Sequence, residues 1–348
     1  MQMQFWRFDL KLAHPWAIAS DGAVGGRNSV GVAVVQLAGG DGLTGLGEAS
    51  PSNRYNEDLD GSLDFFARVD ASRLSFGDVG RSMAYVEALG PGQFSAKSAL
   101  NIALLDGAAR QAGKPLYDHL GLGFRERHHI TSFSIGLDEP GVIREKVQAA
   151  AAYPVLKLKV GAPNDRENLG ALRDGAPKKW VRVDANEGWK TREQALEMIE
   201  WLAKDGFIQF VEQPMPAETK LADLAWLKER SPLPLIADES YHTASDIPHC
   251  AEGFHGVNVK LCKTGGVERA REALLAARRA GLKTMIGCMI ESSILISAAA
   301  HLAELTDYLD IDGALLTTND PYAGVTAKRG VLSFVNAPER TGLRVKTR

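Results

Sequence analysis

Charged residues close one short apolar run after another along the second part of the chain. Lys157 and Lys159 end VLKLKV, Asp184 ends VRVDAN, Glu212 ends FIQFVEQP, Asp238 ends PLIADES and Lys260 ends GVNVKL. Asp310 and Asp312 end the last run, DYLDIDG. A single acid in such a place reads as a solvated strand end. Asp184, Glu212 and Asp238 on consecutive runs read instead as an all-oxygen set of the kind that Mg²⁺ prefers, with positions left open for water or substrate oxygens. A lone lysine would read as a snorkelling surface residue. Lys157, Lys159 and Lys260 opposite carboxylates and a cation are a balanced set that burial tolerates.

These residue types point to proton transfer beside a carboxylate. Removing an α-proton there creates a dianionic enediolate, which a metal ion and nearby ammonium groups stabilise. The base must be neutral when it acts, and a neighbouring ammonium such as Lys157 tunes Lys159 toward that state. Lys260, arriving from the other side, returns the proton to the opposite face. One base on each face gives inversion of configuration.

The elements that must position these groups alternate between apolar run and helical stretch. Eight runs start with SFSIG (132–136) and recur at intervals of about 22 to 28 residues, which implies parallel strands joined by right-handed crossovers. Eight of them indicate a closed α/β barrel with function at the C-terminal strand ends. An open doubly wound sheet is the alternative, disfavoured because no GxGxxG follows an early strand. Side-chain alternation puts Lys157 and Lys159 on one strand face, and Asp310 and Asp312 likewise share a face. Residues 1–125 read differently, as strands at 5–13, 29–39 and 44–50 followed by helices at 56–70, 78–89 and 95–112. The last of these has Ser95 as N-cap and Gly113 at its end. They form an α+β unit, completed by about 320–348, where GVLSFV and GLRVKT look strand-like; the barrel takes 126–319.

Composition excludes several classes. A length of 348 residues favours two domains. A net charge of -3, with no basic block, gives no case for nucleic acid or an anionic membrane. No apolar run approaches the roughly 20 residues of a membrane span, and the N-terminus lacks the apolar core of a signal peptide. Cys250, Cys262 and Cys288 are an odd, widely spaced set that fits a reducing, cytoplasmic compartment.

KLKVG, VDANEGW, VEQP, ADES and NVKLCKTGG together resemble the muconate-lactonising-enzyme subgroup of the enolase superfamily, over nearly the whole chain. The resemblance implies a (β/α)₇β modified TIM barrel with an N-terminal capping domain and one Mg²⁺ per active site. It implies Asp184, Glu212 and Asp238 as metal ligands, with Asn186, Gln213 and Glu239 supporting them. It makes Lys159 and Lys260 the acid/base pair, with Lys157 tuning Lys159, and prefers Lys260 to the competing Lys263. LDIDG looks like the DxD motif of dipeptide epimerases, whose two aspartates hold the substrate's α-ammonium group; charge-assisted hydrogen bonds suit Asp310 and Asp312 to that task. A turn-forming Asp pair before Gly313 is the plainer reading of the same residues. GCMIES (287–292), which contains Ile290, and GEASPSNRY (47–55) look like segments of the same enzymes.

The expected activity is Mg²⁺-dependent epimerisation of the C-terminal residue of a dipeptide of L-Ala-D/L-Xaa type. N-acylamino-acid racemase, o-succinylbenzoate synthase and muconate cycloisomerase are the alternatives on the same scaffold. A non-catalytic barrel is a further alternative, but it would be expected to have lost a ligand or a lysine. The loop AIASDGAVGGRNS (17–29) departs from L-Ala-D/L-Glu epimerases that carry an arginine near its start. Here Ser20 and Asp21 hold that stretch, and an Asp21 facing the pocket would disfavour an acidic side chain. Arg54 and Tyr55 are further specificity candidates. The family implies assembly into a homo-oligomer.

Overall fold

The computed structural model describes residues 1–18, 26–40 and 42–348. The N-terminal unit opens with an antiparallel sheet in the order β1 (Gln2–Trp16), β2 (Arg27–Ala38) and β3 (Thr44–Ala49). Helices α1 (Leu59–Ala67), α2 (Val79–Ala88) and α3 (Phe94–Gln111) follow, and α4 (Leu116–His119) leads out of the unit. Asp58 and Asp78 cap α1 and α2 by accepting from Gly61 N and Arg81 N, which satisfies amides that a helix start leaves unpaired. The alanine-rich α3 lies directly on β3. A Cβ on Gly45 or Gly47 would fall about 2 Å from the carbonyl oxygens of Ala103 and Ala99, so only glycine permits this approach.

Ser95 is not the cap of α3. The helix begins one residue earlier, Gln93 holds the cap position at φ 54, and Ser95 is buried. The Glu57 carboxylate performs the capping, accepting from Phe94 N at 2.5 Å and Ser95 N at 2.9 Å. A carboxylate at a helix start satisfies two amides and meets the dipole's positive end, which outweighs a local hydroxyl.

Each of the eight apolar runs forms a strand. They are β4 (Phe133–Ile135), β5 (Val155–Lys159), β6 (Trp180–Asp184), β7 (Ile208–Glu212), β8 (Leu235–Ala237), β9 (Gly256–Val259), β10 (Lys283–Gly287) and β11 (Tyr308–Asp310). The crossovers carry α5 (Pro140–Ala149), α6 (Asp165–Gly175), α7 (Arg192–Ala203), α8 (Leu221–Arg230), α9 (Ile247–Gly253), α10 (Leu261–Thr264) with α11 (Val267–Arg279), and α12 (Ser293–Ala300). The strands are parallel and ordered as in the chain. The ring shuts where Thr131 bridges Leu309 and Ser132 N donates to Leu309 O at 3.1 Å, which removes the open-sheet alternative. Eight strands and seven crossovers make a (β/α)₇β barrel.

The main apolar core lies between strands and outer helices. Inside the barrel, Phe210, Ile236 and Met285 form an apolar floor with Tyr308 beside them, and above it the lining turns charged. The C-terminal strands β12 (Tyr322–Ala323), β13 (Thr326–Lys328), β14 (Val331–Ser333) and β15 (Lys346–Thr347) pair among themselves. Their segment returns to the capping helices, where Leu343 N donates to Asp106 at 2.7 Å and Leu116 N to Gly342 O at 2.8 Å. Among the described residues no helix is long and apolar enough to cross a membrane.

His301 locks this return. Its Nδ1 accepts from Tyr117 N at 3.2 Å, so Nε2 carries the proton and donates to Leu343 O at 3.1 Å, and its ring stacks on Phe334. Burial, chiefly, pushes its pKa down to about 3. Since the unfolded imidazole takes up its proton near 6.5, His301 contributes stability in full above that pH and loses it as the pH falls toward 3, at roughly 1.4 kcal/mol per pH unit. His301→Gln, which keeps a donor and an acceptor, should be less stable than the parent near neutrality. The gap should close as urea unfolding is repeated at pH 6, 5 and 4; a gap that stays constant with pH would refute the assignment.

Candidate functional site

Strand order fixes the layout of the barrel mouth. β5 and β9 have three strands between them whichever way the ring is followed, so Lys157 and Lys159 face Lys260 across it. Between them on one side, β6, β7 and β8 deliver Asp184, Glu212 and Asp238. On the other side β11 brings Asp310 and Asp312, and β11 lies diametrically opposite β7. The lysine axis and the acid axis therefore cross at right angles. A zwitterion laid along the acid axis, carboxylate toward β7 and ammonium toward β11, has its middle between the two lysines.

The contacts are close and dry. Lys157 Nζ lies 3.0 Å from Asp184, 2.7 Å from Glu212 and 2.6 Å from Asp310. Lys159 Nζ donates to Asp184 at 2.7 Å. On the far wall Lys260 Nζ and Lys263 Nζ donate to the two oxygens of Asp238 at 2.7 and 2.8 Å, and Lys263 also reaches Asp238 O. Asp184, Glu212 and Asp238 are completely buried. Burial resists ionisation of Asp184 and Asp238, but the paired lysines prevail: Asp184 is held down at about 2 and Asp238 well below the usual carboxylate range. Burial and the Asp184 charge push Glu212 up to about 7, and burial with Asp238 pushes Glu239 up to about 8. Lys157 and Lys260 stay well above the lysine range because their carboxylates outweigh burial.

The surrounding groups orient these carboxylates. Asn186 N donates to Asp184, and Asn186 Nδ2 reaches Glu239 at 3.4 Å. Gln213 Oε1 accepts from Asp238 N and Ser240 N. Asn186 and Gln213 sit at φ 40 and 36, strained for residues with a Cβ, as groups held for a purpose often are. Ser132 Oγ donates to Asp310 at 2.6 Å and Ser134 N to Asp312 at 2.6 Å. Burial and the neighbouring Asp310 push Asp312 up to about 7.

Whether a divalent cation suits this site is decided by its donors. Among the described residues, no three His, Cys, Asp or Glu side chains are drawn together into a cluster able to hold a metal. The ammonium of Lys157 instead supplies positive charge among them. The set itself is all oxygen, anionic and buried. Asn186 Oδ1 and Glu239 Oε2 make no hydrogen bond there, while Glu212 Oε2 is engaged by the Lys157 ammonium. Hard oxygen donors with unspent lone pairs fit Mg²⁺.

The capping unit contributes the rest of the rim. The Trp16 ring lies 5.9 Å from Lys159 Nζ. Tyr55 lies against His242, with ring centroids 4.9 Å apart, and within the field of Asp238, Lys260 and Glu239. Arg54 faces neither lysine of the pair: it forks onto Glu187 and also reaches Glu218. Ile290 packs with Leu10 and Val32 in the seam between the units. Asp21 lies outside the described residues.

Several supporting residues were not picked out from the sequence. Asn258 Nδ2 donates to Glu212 at 2.8 Å, and Arg182 donates to Ser132 Oγ and Leu309 O beneath Asp310. Asn258, Arg182 and Ser132 each lie two residues before a polar group on the same strand or its extension, so the alternation that paired Lys157 with Lys159 also points to them.

Comparison with known proteins identifies the family. Residues 9–121 match the family described as mandelate racemase / muconate lactonizing enzyme, N-terminal domain, and residues 142–343 match the enolase C-terminal domain-like family. The chain is 69% identical over 348 residues to a Pedosphaera parvula protein named L-Ala-D/L-amino acid epimerase, covering 100% of both. It resembles the substrate-liganded L-Ala-D/L-Glu epimerase of Bacillus subtilis with a TM-score of 0.91 and 26% identity, over 100% of this chain and 98% of the other. It also resembles the dipeptide epimerase of Enterococcus faecalis V583, complexed with Mg and L-Leu-L-Tyr, with a TM-score of 0.88 and 29% identity over 99% of each. With both halves of the chain matched and the barrel, cap and strand-end charges in place, this protein belongs to the mandelate racemase/muconate-lactonising-enzyme family of the enolase superfamily.

Proposed function

We propose that the protein is a Mg²⁺-dependent dipeptide epimerase that inverts the α-carbon of the C-terminal residue of L-Ala-D/L-Xaa dipeptides. The observation that carries this reading is the strand-end layout, with the carboxylates of β6 to β8 opposite the Asp310 and Asp312 pair and Lys159 and Lys260 on the two walls between them. The relatives' names and their dipeptide complexes support it.

In this reading Asp184, Glu212 and Asp238 hold the cation, which when bound offsets the negative charge of the substrate carboxylate. Asp310 and Asp312 take the α-ammonium group, their orientation fixed by Ser132 and Ser134. The carboxylate and the ammonium then pin the α-carbon between the walls. One of Lys159 and Lys260 withdraws the α-proton, and the other delivers a proton to the opposite face. The ammonium of Lys157, beside Asp184 and Glu212, stabilises the charge that develops on the carboxylate. Trp16, over Lys159, helps to keep water off the base. For these roles we divide the chain into a capping unit, 1–125 completed by 320–348, and a catalytic barrel, 126–319. We further infer a cytoplasmic homo-oligomer, the habit of the family, which light scattering of the purified protein tests.

A library of L-Ala-L-Xaa and L-Xaa-L-Glu dipeptides in deuterated buffer, read by mass spectrometry, tests the reading. One deuteron should enter at the C-terminal residue's α-carbon, together with inversion. Exchange confined to N-succinyl amino acids or muconolactone would overturn it in favour of the alternative activities. N-acetylation of a reactive dipeptide should raise KM strongly, since it removes the charge that Asp310 and Asp312 bind.

A further inference from the structure

Arg54 stands on a single turn of 3₁₀ helix, residues Asn53–Tyr55, directly after the last strand of the capping sheet. The turn is stiff. Ser52 Oγ accepts from Arg54 N, Asn56 closes it in the left-handed region at φ 56, and the next residue, Glu57, is fastened to the start of α3. From this turn the Arg54 guanidinium reaches across to the barrel. Its Nε and Nη2 donate to the two oxygens of Glu187 at 2.7 and 2.6 Å, a fork-on-carboxylate pairing that fixes direction as well as distance. Nη2 also reaches Glu218 at 3.1 Å.

Glu187 is built to receive it. The residue is nearly buried, sits at φ 66 and follows Asp184 by three positions. Its N–H donates to Gln213 O, its carbonyl accepts from Lys190 Nζ, and its Oε1 accepts from Ala217 N at 2.8 Å. One carboxylate thus ties the loops after β6 and β7 to the capping turn. Tyr55, the residue beside Arg54, is directed the other way, toward the loop after β8 and Lys260. Its ring lies 4.9 Å from that of His242 and 6.0 Å from Lys263 Nζ.

We propose that Arg54 is a positioning residue, the latch that holds Tyr55 at the barrel mouth through Glu187, and does not bind the substrate's side chain. This rests on the epimerase reading for its catalytic consequence only. The guanidinium's best-placed donors are spent on Glu187, so an acidic second residue in the dipeptide gains nothing from it. Because the turn is stiff, release of Arg54 moves Tyr55 with it. A shift of about 1 Å near reacting groups costs up to roughly a hundredfold in rate.

Four variants test the latch: Arg54→Met, Arg54→Lys, Glu187→Gln and the double variant Arg54→Met/Glu187→Gln. Arg54→Met and Glu187→Gln should each lower kcat/KM roughly tenfold to a hundredfold for every dipeptide that the parent accepts, whatever its second side chain. The double variant should be no worse than either single one. Arg54→Lys, with one charge and no fork, should recover only part of the loss. Hydrogen–deuterium exchange supplies a readout independent of activity: amides 52–57 should exchange faster in both single variants while those of the barrel strands stay protected. A loss in Arg54→Met confined to dipeptides with an acidic second residue, with Glu187→Gln unaffected, would overturn the latch and make Arg54 a substrate contact. Unchanged exchange at 52–57 would overturn it as well. Failure of the parent enzyme on all dipeptides would overturn the epimerase reading alone, since exchange at 52–57 would still decide the latch.

Discussion

Lys159→Ala and Lys260→Ala are each expected to lower epimerisation by about a thousandfold or more, within the range set by loss of a positioned acid or base. The two variants should nonetheless differ in kind. Each retains one lysine on one wall of the barrel, and that lysine can still withdraw a proton from the diastereomer whose α-hydrogen faces it and return it to the same side. Lys159→Ala should therefore exchange the α-proton of only one of an L,L/L,D dipeptide pair, and Lys260→Ala only the other, both without inversion. Proton NMR in deuterated buffer, with chiral separation of the products, reads both quantities. Both variants should remain folded. Asp184 keeps Lys157 at 3.0 Å when Lys159 is removed, and Asp238 keeps Lys263 at 2.8 Å when Lys260 is removed. Exchange of the same diastereomer by both variants would rule out the two-wall arrangement, and epimerisation at the parent rate by Lys159→Ala would rule out its role as a base.

The second large effect concerns the cation. Chelation should abolish exchange and Mg²⁺ should restore it, but stability measurements discriminate more sharply among the carboxylates. Saturating Mg²⁺ at about a hundred times its dissociation constant should stabilise the parent by about 2.7 kcal/mol. Asp238→Asn removes the counter-charge of two buried ammonium groups, Lys260 and Lys263, and should cost about 3–5 kcal/mol even without metal. Glu212→Gln differs in sign. Burial and Asp184 already push Glu212 up to about 7, so that in the absence of metal its ionisation near neutrality is a burden, and the neutral amide removes it. The variant should be at least as stable as the metal-free parent, and its thermal midpoint should no longer rise with Mg²⁺. A midpoint in Glu212→Gln that rises with Mg²⁺ as in the parent would remove Glu212 from the ligand set.

The barrel was legible in the sequence because a strand buried on both faces reads as a short apolar run, and a functional strand end reads as a charge closing it. The eight runs and the strands coincide to within three residues at either end. What the sequence concealed were partnerships across long separations. The cap of α3 belongs to Glu57, 37 residues before Phe94, so the nearby Ser95 hydroxyl looked sufficient. Arg54 stood out as a specificity candidate, but its guanidinium is paired with Glu187, 133 positions away. Asn258, Arg182 and Ser132 were overlooked although they obey the same two-residue alternation as the lysines, because neutral amides, hydroxyls and a mid-strand arginine stand out less than strand-end charges.

The closure of the ring has a consequence for how the site comes into being. Every other neighbouring pair of barrel strands is also consecutive in the chain, whereas β11 and β4 meet across a separation of 178 residues, as the Ser132–Asp310 bond records. That is the most expensive loop in the sheet to close, and contacts of such range form only after shorter ones have prepared them. Asp310 and Asp312 stand on one side of this seam, and the serines that orient them stand on the other. The carboxylates and lysines of β5 to β9 can gather while the sheet is still an open arc. On the proposed roles of Asp310 and Asp312, the pocket for the ammonium group is complete only when the last seam is shut, so discrimination among carboxylates is expected to arise at the final stage of folding.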